Sequence, residues 1–179
     1  MANEFDDFID WSQFGDDWTV ISPELQNNQG LSDEELVRVT IVNPFQLVKL
    51  TQGKRDNWRG NFATGEAVLF TNHLPGPISI LFDPPVQGVG TQFQINEIQE
   101  RGGPPIPFNA TLTVFDLNGL QLKTTTRKGR SDSASDGSAV LVQIFADLPL
   151  IKRAEFKVRG TAPGPHVNDL AINRLRLKA

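Results

Sequence analysis

The sequence predicts an all-β protein, an antiparallel sandwich of two packed sheets with a jelly-roll-like order of strands. Alternation is the first observation behind this prediction. In residues 152–159, Ala154, Phe156 and Val158 alternate with charged side chains, as in a strand with one buried and one solvated face. The second observation is that 12 Pro and 15 Gly are spread between the alternating runs, where they suit many turns. About ten strands of this length close best as two packed sheets.

The individual strands are predicted from runs of alternating apolar residues and from the Pro and Gly residues that end them. These runs are residues 36–42, 45–51, 66–71, 78–82, 89–95, 108–114, 120–126, 139–145, 151–159 and 170–177. Pro44 separates the first two runs, and Pro84 with Pro85 ends the fourth. Polar, Gly-bearing or Pro-bearing loops are predicted over residues 52–65, 99–107 and 127–138.

A β-hairpin is the most specific local prediction. Asn118 and Gly119 stand between two alternating runs, and both residues tolerate the positive φ of a type I′ turn. Helical signals are weak by comparison. Phe5, Phe8 and Ile9 have helical spacing, and residues 32–35 have capping chemistry, but no long amphipathic run follows either of them. We therefore expect one or two helical turns at most.

Composition bounds the organisation and the class of function. A chain of 179 residues fits a single domain over residues 1–179 with one core, and the absence of Cys excludes disulfides and thiolate metal sites. No apolar run approaches the roughly 18 residues of a membrane span. The first residues lack the basic and apolar regions of a signal peptide, which leaves a cytoplasmic location as an alternative to an extracellular one.

Charge is distributed unevenly along the chain. Residues 1–35 hold ten of the 21 acidic residues and no Lys or Arg, so all 17 basic residues lie in the remainder. We interpret residues 1–35 as an acidic segment packed on a mildly basic sandwich. The other interpretations are a cation site and head-to-tail association between molecules. A net charge of −4 argues against nucleic acid as a partner.

Two constellations suggest binding chemistry. Calcium prefers carboxylate, amide and backbone oxygens, and a meeting of the N-terminal segment with the last strand would supply Asp6, Asp7, Asp10, Asn168 and Asp169. The alternative is that these acids are solvated or pair with Arg174 and Arg176.

The second constellation is a sugar-binding loop. Sugars bind to an aromatic ring with amides and charged groups around it, and Asp56, Asn57, Trp58 and Arg59 bring those residue types together. The alternative here is that Trp58 is a lid on the core.

Enzyme signatures are weak. His73 and His166 both lie beside Pro-Gly turns, and exposed loop histidines are the simplest interpretation. Ser-hydrolase, zinc-protease and Cys-nucleophile motifs are absent from the sequence. A paired-carboxylate glycosidase stays open because its two acids leave no local sequence mark.

Several segments together resemble a group of secreted bacterial β-sandwich proteins, many of which carry a PEP-CTERM sorting tail. Residues 10–15 resemble their DW-x-x-x-G opening, residues 58–69 their W-x-G-N-F-x-x-G-x-x-L segment, and residues 78–90 their I-T-F-x-x-P-V-x-G-V-G strand pair. Residues 111–119 resemble T-x-T-x-x-D-x-x-G, and residues 169–175 the closing F-A-I-N/D-x-L. The resemblance implies a sandwich similar to carbohydrate-binding modules and a secreted location.

The function predicted from the sequence is that of a non-catalytic extracellular module that binds glycan or a cell-surface or matrix protein, with calcium as a structural ion. A self-assembling surface or matrix protein is the alternative, since an acidic segment can pair with the exposed sheet edge of a neighbour. A polysaccharide-active enzyme comes third.

Overall fold

The computed structural model describes residues 4–43, 45–53, 60–96, 104–132, 134–161 and 169–179. These residues form fourteen strands: β1 (Asp7–Ile9), β2 (Val20–Ile21), β3 (Gln29–Leu31), β4 (Arg38–Ile41), β5 (Leu47–Thr51), β6 (Ala67–Pro75), β7 (Ile78–Val86), β8 (Gly88–Ile95), β9 (Ile106–Phe115), β10 (Gln121–Ser131), β11 (Val140–Phe145), β12 (Ile151–Gly160), β13 (Asp169–Ile172) and β14 (Leu175–Lys178). Two short 3-10 helices, Trp11–Phe14 and Pro23–Leu25, match the expected one or two helical turns in number but not in place, since Phe8 and Ile9 belong to β1. Within the described ranges no helix is long and apolar enough to span a membrane.

The strands pair antiparallel in two sheets, which confirms the predicted sandwich. The larger sheet has the order β1-β14-β8-β13-β6-β5-β2 with β11 also paired to β8, and the smaller has the order β10-β9-β12-β7-β4-β3. From β6 to β13 the chain passes from one sheet to the other at every connection except the β9–β10 hairpin. This alternation gives the jelly-roll-like order of strands.

The main core lies between the sheets and is built by strand alternation. In β9 every second side chain from Ile106 to Val114 is buried, and in β12 Ala154, Phe156 and Val158 are buried as predicted. The rings of Phe93 and Phe156 meet across the two sheets with centroids 5.7 Å apart. Burial of each of the larger side chains, such as Phe156 and Val158, stabilises the fold by about 1.5–3 kcal/mol.

A second apolar cluster covers the outer face of the larger sheet. It consists of Val48, Leu50, Phe62, Val68, Phe70, Ala139 and Ala171. Phe62 and Ala139 belong to the segments before β6 and before β11, which fold over this face. The middle of the larger sheet is therefore buried on both faces, and all five residues of β5 are buried.

The acidic N-terminal segment belongs to both sheets and does more than lie over them. β1 pairs with β14 and β2 with β5 in the larger sheet, whereas β3 pairs with β4 in the smaller sheet. The short 3-10 helix between β1 and β2 inserts the buried rings of Trp11 and Phe14 between the sheets. Residues 4–35 thus supply edge strands and part of the core.

Three predicted strand boundaries are wrong for identifiable reasons. β7 continues through Pro84 and Pro85 because its register with β12 shifts there, so the missing amide protons are not needed. β10 runs on to Ser131, beyond the predicted end at residue 126, because the partner strand β9 keeps pairing with it. The last predicted strand, residues 170–177, is split into β13 and β14 at Asn173 and Arg174.

The β9–β10 hairpin is confirmed, but its turn is not type I′. Of the two turn residues, only Gly119 has a positive φ, of 80°. The Asp116 carboxylate accepts hydrogen bonds from the backbone N–H groups of Asn118 and Leu120, both at 2.8 Å. The Asp116 carboxylate therefore stabilises a longer turn by accepting from its backbone N–H groups. In this turn Asn118 does not need to adopt the left-handed conformation.

Candidate functional site

The split in the C-terminal strand creates a junction within the larger sheet. β13 and β14 both pair with β8 along one edge, but on the other edge β13 pairs with β6 and β14 pairs with β1. β1 and β6 therefore lie end to end, and the point where they meet faces Asn173 and Arg174. The ladder is interrupted there, so side chains have to satisfy backbone groups that a regular strand would pair.

Asn173, which is 1% exposed, forms hydrogen bonds with the polar groups at this interruption. Its backbone oxygen accepts hydrogen bonds from Trp11 Nε1 at 2.6 Å and Thr91 Oγ1 at 3.0 Å. Its Oδ1 accepts from the backbone N–H of Gln92 at 3.0 Å, and its Nδ2 donates to the Glu66 carboxylate at 3.2 Å. The amide thus fixes the position of Glu66 at the start of β6.

The Arg174 side chain is half exposed to solvent. Its guanidinium lies 3.1 Å from Asp10 Oδ2 and 4.2 Å from the centroid of the Phe8 ring. Burial acts to raise the pKa of Asp10, but hydrogen bonds from Ser12 and from Arg174 outweigh it and hold that pKa below its usual value. The carboxylate is therefore ionised, and it holds the guanidinium in place.

A cleft lies over this junction, and we call it the polar cleft. It consists of two adjoining hollows of about 500 and about 570 Å³ that share Glu66 and Arg174 in their walls. Lys49, Thr51 and Thr64 line the first hollow. Phe5, Gln143 and Arg176 line the second hollow. The cleft thus combines carboxylate, guanidinium, hydroxyl and amide groups with the rings of Phe5 and Phe8.

Lys49, which lines the first hollow, forms a buried ion pair with Asp17. Lys49 is 6% exposed, and its Nζ lies 2.9 Å from Asp17 Oδ1. The hydroxyl of Thr51 donates a hydrogen bond to the same carboxylate oxygen. A buried cation with a paired acid and a hydroxyl neighbour is a fixed polar feature, since removal of either charge would leave the other uncompensated.

The predicted sugar-binding residues Asp56, Asn57, Trp58 and Arg59 lie outside the described residues. The described ends of their loop are well anchored: Gln52 Nε2 donates to the backbone oxygen of Gly60 at 3.0 Å, and Phe62 is fully buried in the second apolar cluster. Thr64, Gly65 and Glu66, at the end of the same loop, line the polar cleft. The prediction for residues 56–59 stays a prediction, on a loop whose base borders the cleft.

Asn61 attaches the base of this loop to the segment after β10. It is fully buried, and its Nδ2 donates to Asp132 Oδ1 at 2.6 Å and to Ser138 Oγ at 3.1 Å. Its Oδ1 accepts from Gln94 Nε2 at 3.0 Å and from the backbone N–H of Asp132 at 2.9 Å. All the hydrogen-bonding groups of this side chain are therefore used in fixing the loop.

The predicted calcium ligands are not gathered at one point. Asp6 accepts from the backbone N–H of Ala179 at 3.0 Å and lies 3.4 Å from Lys178 Nζ, while Asp10 pairs with Arg174. Asp7 is 5% exposed and accepts from the backbone N–H of Phe8 at 2.7 Å. In the described part of the chain no group of three or more His, Cys, Asp or Glu side chains is placed to hold a metal ion.

Asp169, the fourth described member of the predicted calcium set, lies at the far end of the split strand. Asp169 is the first residue of β13, whereas Asp7 pairs with Leu177 in β14. At the rise of a β-strand, the chain from Asp169 to Leu177 spans roughly 25 Å. Asp169 Oδ2 lies 3.3 Å from His73 Nδ1. Asn168 lies outside the described residues. Calcium binding stays a prediction that this arrangement does not support.

Of the two histidines, His73 differs from the simplest interpretation in one respect. His73 lies within β6, not in a loop, and has a φ of 66° next to Asn72 with a φ of 50°. Its ring contacts Asp169 and also Asn96, whose Nδ2 lies 3.3 Å from Nδ1. His166 lies outside the described residues.

Sequence reasoning did not single out Glu66, Lys49 or Asn173 as site residues. The sequence does contain an indication for Lys49, since a lysine between Val48 and Leu50 interrupts an otherwise apolar run in a buried strand. Asn173 and Arg174 left another, since two polar residues in succession break the alternation of the last strand. Glu66 gave no comparable signal, because its role depends on the junction that only the pairing of strands reveals.

No protein-family model matches the chain, and no curated protein matches it. Among solved structures, the chain is similar to a DUF4465 family protein from Bacteroides caccae, with 12% identity, a TM-score of 0.49, and coverage of 99% of this chain and 95% of that one.

Two further similarities are to carbohydrate-binding domains of Xyn10C from Paenibacillus barcinonensis. The CBM22-1 xylan-binding domain gives 13% identity, a TM-score of 0.29, and coverage of 100% of this chain and 99% of that one. The CBM22-1-CBM22-2 tandem domain gives 13% identity, a TM-score of 0.31, and coverage of 99% of this chain and 47% of that one. TM-scores below 0.5 at these identities carry no argument about function.

Proposed function

We propose that this chain is a non-catalytic carbohydrate-binding module that acts in an extracellular setting and holds its glycan in the polar cleft. The observation that carries the proposal is the convergence of Glu66, Arg174 and Lys49 on one cleft at the junction of β1, β6 and the split C-terminal strand. The loop that ends at Glu66 would add Trp58 and its neighbours to the same ligand.

The chemistry of the polar cleft suits a polyhydroxylated ligand. Carboxylates accept hydrogen bonds from hydroxyl groups, guanidinium and ammonium groups donate to them, and the threonine hydroxyls do both. The Phe8 ring is stacked by the Arg174 guanidinium and the Phe5 ring packs on the Phe145 ring, so the aromatic surface for the C–H face of a sugar would come from Trp58. Most of these polar groups already have partners within the protein, which limits the entropy lost when a ligand binds.

The ionisation of Asp10 favours binding over catalysis. A paired-carboxylate glycosidase needs one acid whose pKa is raised, so that it is protonated and can donate to the leaving oxygen. Asp10 lines the first hollow together with Glu66, but its pKa is lowered by Ser12 and Arg174 against the opposing effect of burial. An ionised carboxylate that is committed to an arginine is a poor general acid.

Assembly through the acidic N-terminal segment is less well supported than glycan binding. That segment pairs with β14, β5 and β4 of its own molecule, so its strands are occupied. Addition to the sheet edge of a neighbour would first require these pairings to break. We therefore keep self-assembly as the second candidate, to be detected as concentration-dependent association in sedimentation experiments.

The test compares glycan binding by the unmodified chain and by the variant Arg174→Ala. A glycan array identifies bound oligosaccharides, and calorimetry then measures affinity. We expect Arg174→Ala to weaken binding by about tenfold or more, since hydrogen bonds to charged groups contribute about 1.5–3 kcal/mol. Arg38→Ala, which removes an exposed arginine from the smaller sheet, is the matched control and should leave affinity unchanged.

The variant Trp58→Ala tests whether the loop contributes to glycan binding in addition to the polar cleft. A loss of glycan binding with an unchanged melting temperature identifies Trp58 as a ligand contact. A loss of several kcal/mol of stability identifies it as core instead. If the array detects no glycan, or if Arg174→Ala and Arg38→Ala bind equally well, the polar cleft is not a glycan site.

A further inference from the structure

The outer face of the smaller sheet carries a concentration of positive charge that the proposed function does not use. Outward-facing side chains of β10, β9 and β12 lie in rows that the strand register defines. Lys128, Asn109 and Arg159 form one row, and Thr126, Thr111 and Lys157 form the next. We call these two rows the basic face.

Within the part of the chain that the structure describes, no acidic side chain pairs with the cations of the basic face. Lys128, Lys157 and Arg159 are exposed, and none of them forms an ion pair with another residue in the described ranges. Arg130, one step further along β10, lies within electrostatic range of the exposed Asp136. The face therefore keeps three cations without an ion pair in the described ranges, while Arg130 at its edge is partly balanced by Asp136.

At the hairpin end of the smaller sheet, positive charge is neutralised by a neighbouring acid. Arg153 forms an ion pair with Glu155 and stacks on the Phe115 ring with 3.9 Å between its guanidinium carbon and the ring centroid. Glu155 pairs in register with Thr113, next to the row that contains Lys157. Positive charge is thus balanced at the hairpin end of the sheet and left unbalanced at the opposite end.

Uncharged polar side chains that can hydrogen-bond a ligand lie between the cations of the basic face. The hydroxyls of Thr111 and Thr126 are 2.9 Å apart, and Asn109 lies between Lys128 and Arg159 in register. Neighbouring strands are about 4.8 Å apart, so the two cations of that row are roughly 10 Å apart with an amide between them. On the far side, Lys157 and Arg159 line a hollow of about 310 Å³ against Pro75 and Gly76.

From this arrangement we infer that the basic face is a second binding surface, which takes a polysaccharide bearing carboxylate or sulfate groups. Lysine and arginine recognise the anionic groups, and the interleaved threonine and asparagine side chains hydrogen-bond the hydroxyls between them. The surface shares no residue with the polar cleft, so the inference does not depend on the cleft being a glycan site.

A nucleic acid fits the same surface less well. Single-stranded nucleic acid is held by aromatic rings on which bases stack, and the two rows of the basic face contain none. The ring of Phe115, further along β9, is covered by Arg153.

The test is affinity electrophoresis of the full chain in native gels that contain polygalacturonate, heparin or uncharged dextran. We expect retardation by polygalacturonate or heparin and none by dextran. Binding should weaken by about tenfold or more between about 50 and about 200 mM salt, because bound counterions are released. No retardation by either anionic polymer would overturn the inference, and so would tighter binding to a single-stranded oligonucleotide.

Two double variants with the same change in charge locate the surface. Lys157→Glu with Arg159→Glu should abolish retardation by the anionic polymers. Lys123→Glu with Arg127→Glu changes exposed residues of β10 whose register partners, Val114 and Ala110, are buried, so these side chains do not belong to the basic face. This second variant should still be retarded. Equal loss in both variants would mean that only net charge matters, and the inference would fail.

Discussion

The indole N–H of Trp11 donates a hydrogen bond of 2.6 Å to the backbone oxygen of Asn173, which is 162 residues away in the sequence. Both residues are almost completely buried. The bond attaches the first 3-10 helix to the point at which the C-terminal strand splits. It also joins the two ends of the chain at the junction over which the polar cleft lies, so the geometry of the cleft depends on it.

Replacing Trp11 is expected to destabilise the whole fold. Trp11→Ala should cost about 3–5 kcal/mol, because a large buried ring is lost from the core. Trp11→Phe keeps a ring but removes the N–H donor to Asn173, and should cost about 1–2 kcal/mol. Equilibrium unfolding in urea measures both values. Trp18→Phe is the control, since Trp18 is 54% exposed, and an unchanged stability of Trp11→Phe would contradict the role of the hydrogen bond.

Asn61→Ala should destabilise the chain by roughly 2–3 kcal/mol, although it removes only a small side chain. The change leaves the backbone N–H of Asp132 without the Asn61 oxygen and removes one of the two acceptors of Gln94 Nε2, and an unsatisfied buried group costs about 1–3 kcal/mol. Asn118→Ala, on the exposed β9–β10 turn, should change stability by less than about 0.5 kcal/mol. Equal unfolding midpoints for the two variants would show that Asn61 does not anchor the loop.

The sequence was informative about strands because their alternation records burial on one face. Ala154, Phe156 and Val158 predicted the core face of β12 correctly, and the position of the β9–β10 hairpin followed from Asn118 and Gly119. The boundaries failed where another interaction decided the outcome. Asp116 capped the turn and changed its type, and the register shift opposite Pro84 allowed β7 to continue.

The candidate site could be predicted only in part, because its central residues depend on strands distant in sequence. Asp10 was singled out as a metal ligand, whereas the structure commits it to Arg174, the partner considered as the alternative. Glu66 and Asn173 become neighbours only because β6 and β1 share one edge of the split strand. No local spacing records such a pairing, so the junction had no sequence signature beyond the interrupted alternation.

The lowered pKa of Asp10 predicts a specific pH dependence of stability. Burial acts to raise that pKa, but Ser12 and Arg174 lower it below the ordinary 3.8. A carboxyl whose folded pKa is lowered stabilises the fold above its unfolded pKa, and this stabilisation disappears as the pH falls through the folded pKa. The unmodified chain should therefore melt at a higher temperature than Asp10→Asn at neutral pH, and the difference should shrink progressively as the pH falls below 3.8 toward the folded pKa.

The comparison of the unmodified chain with Asp10→Asn separates the effect of Asp10 on stability from the effects of other acids. The pKa of Asp136 is also lowered, mainly by hydrogen bonds from Ser138, but both chains contain this residue, so its effect cancels in the difference. Thermal unfolding at a series of pH values from neutral to about pH 3 supplies the data. A difference in melting temperature that stays constant over this range would show that the ionised carboxylate of Asp10 is not what stabilises the fold.

Calcium is expected to leave the melting temperature almost unchanged. Asp6 and Asp10 are engaged by Lys178 and Arg174, and Asp169 lies at the opposite end of the split strand from Asp7. A ligand that binds only the folded state raises stability by RT ln(1 + [L]/Kd), so a site with a micromolar Kd would add about 4 kcal/mol at a thousandfold excess of ion. Thermal unfolding in EDTA and then in millimolar calcium measures the effect, and Asp10→Asn provides the comparison. A rise of several degrees that Asp10→Asn abolishes would restore Asp10 as a metal ligand, and would mean that Arg174 gives up the carboxylate when the ion binds.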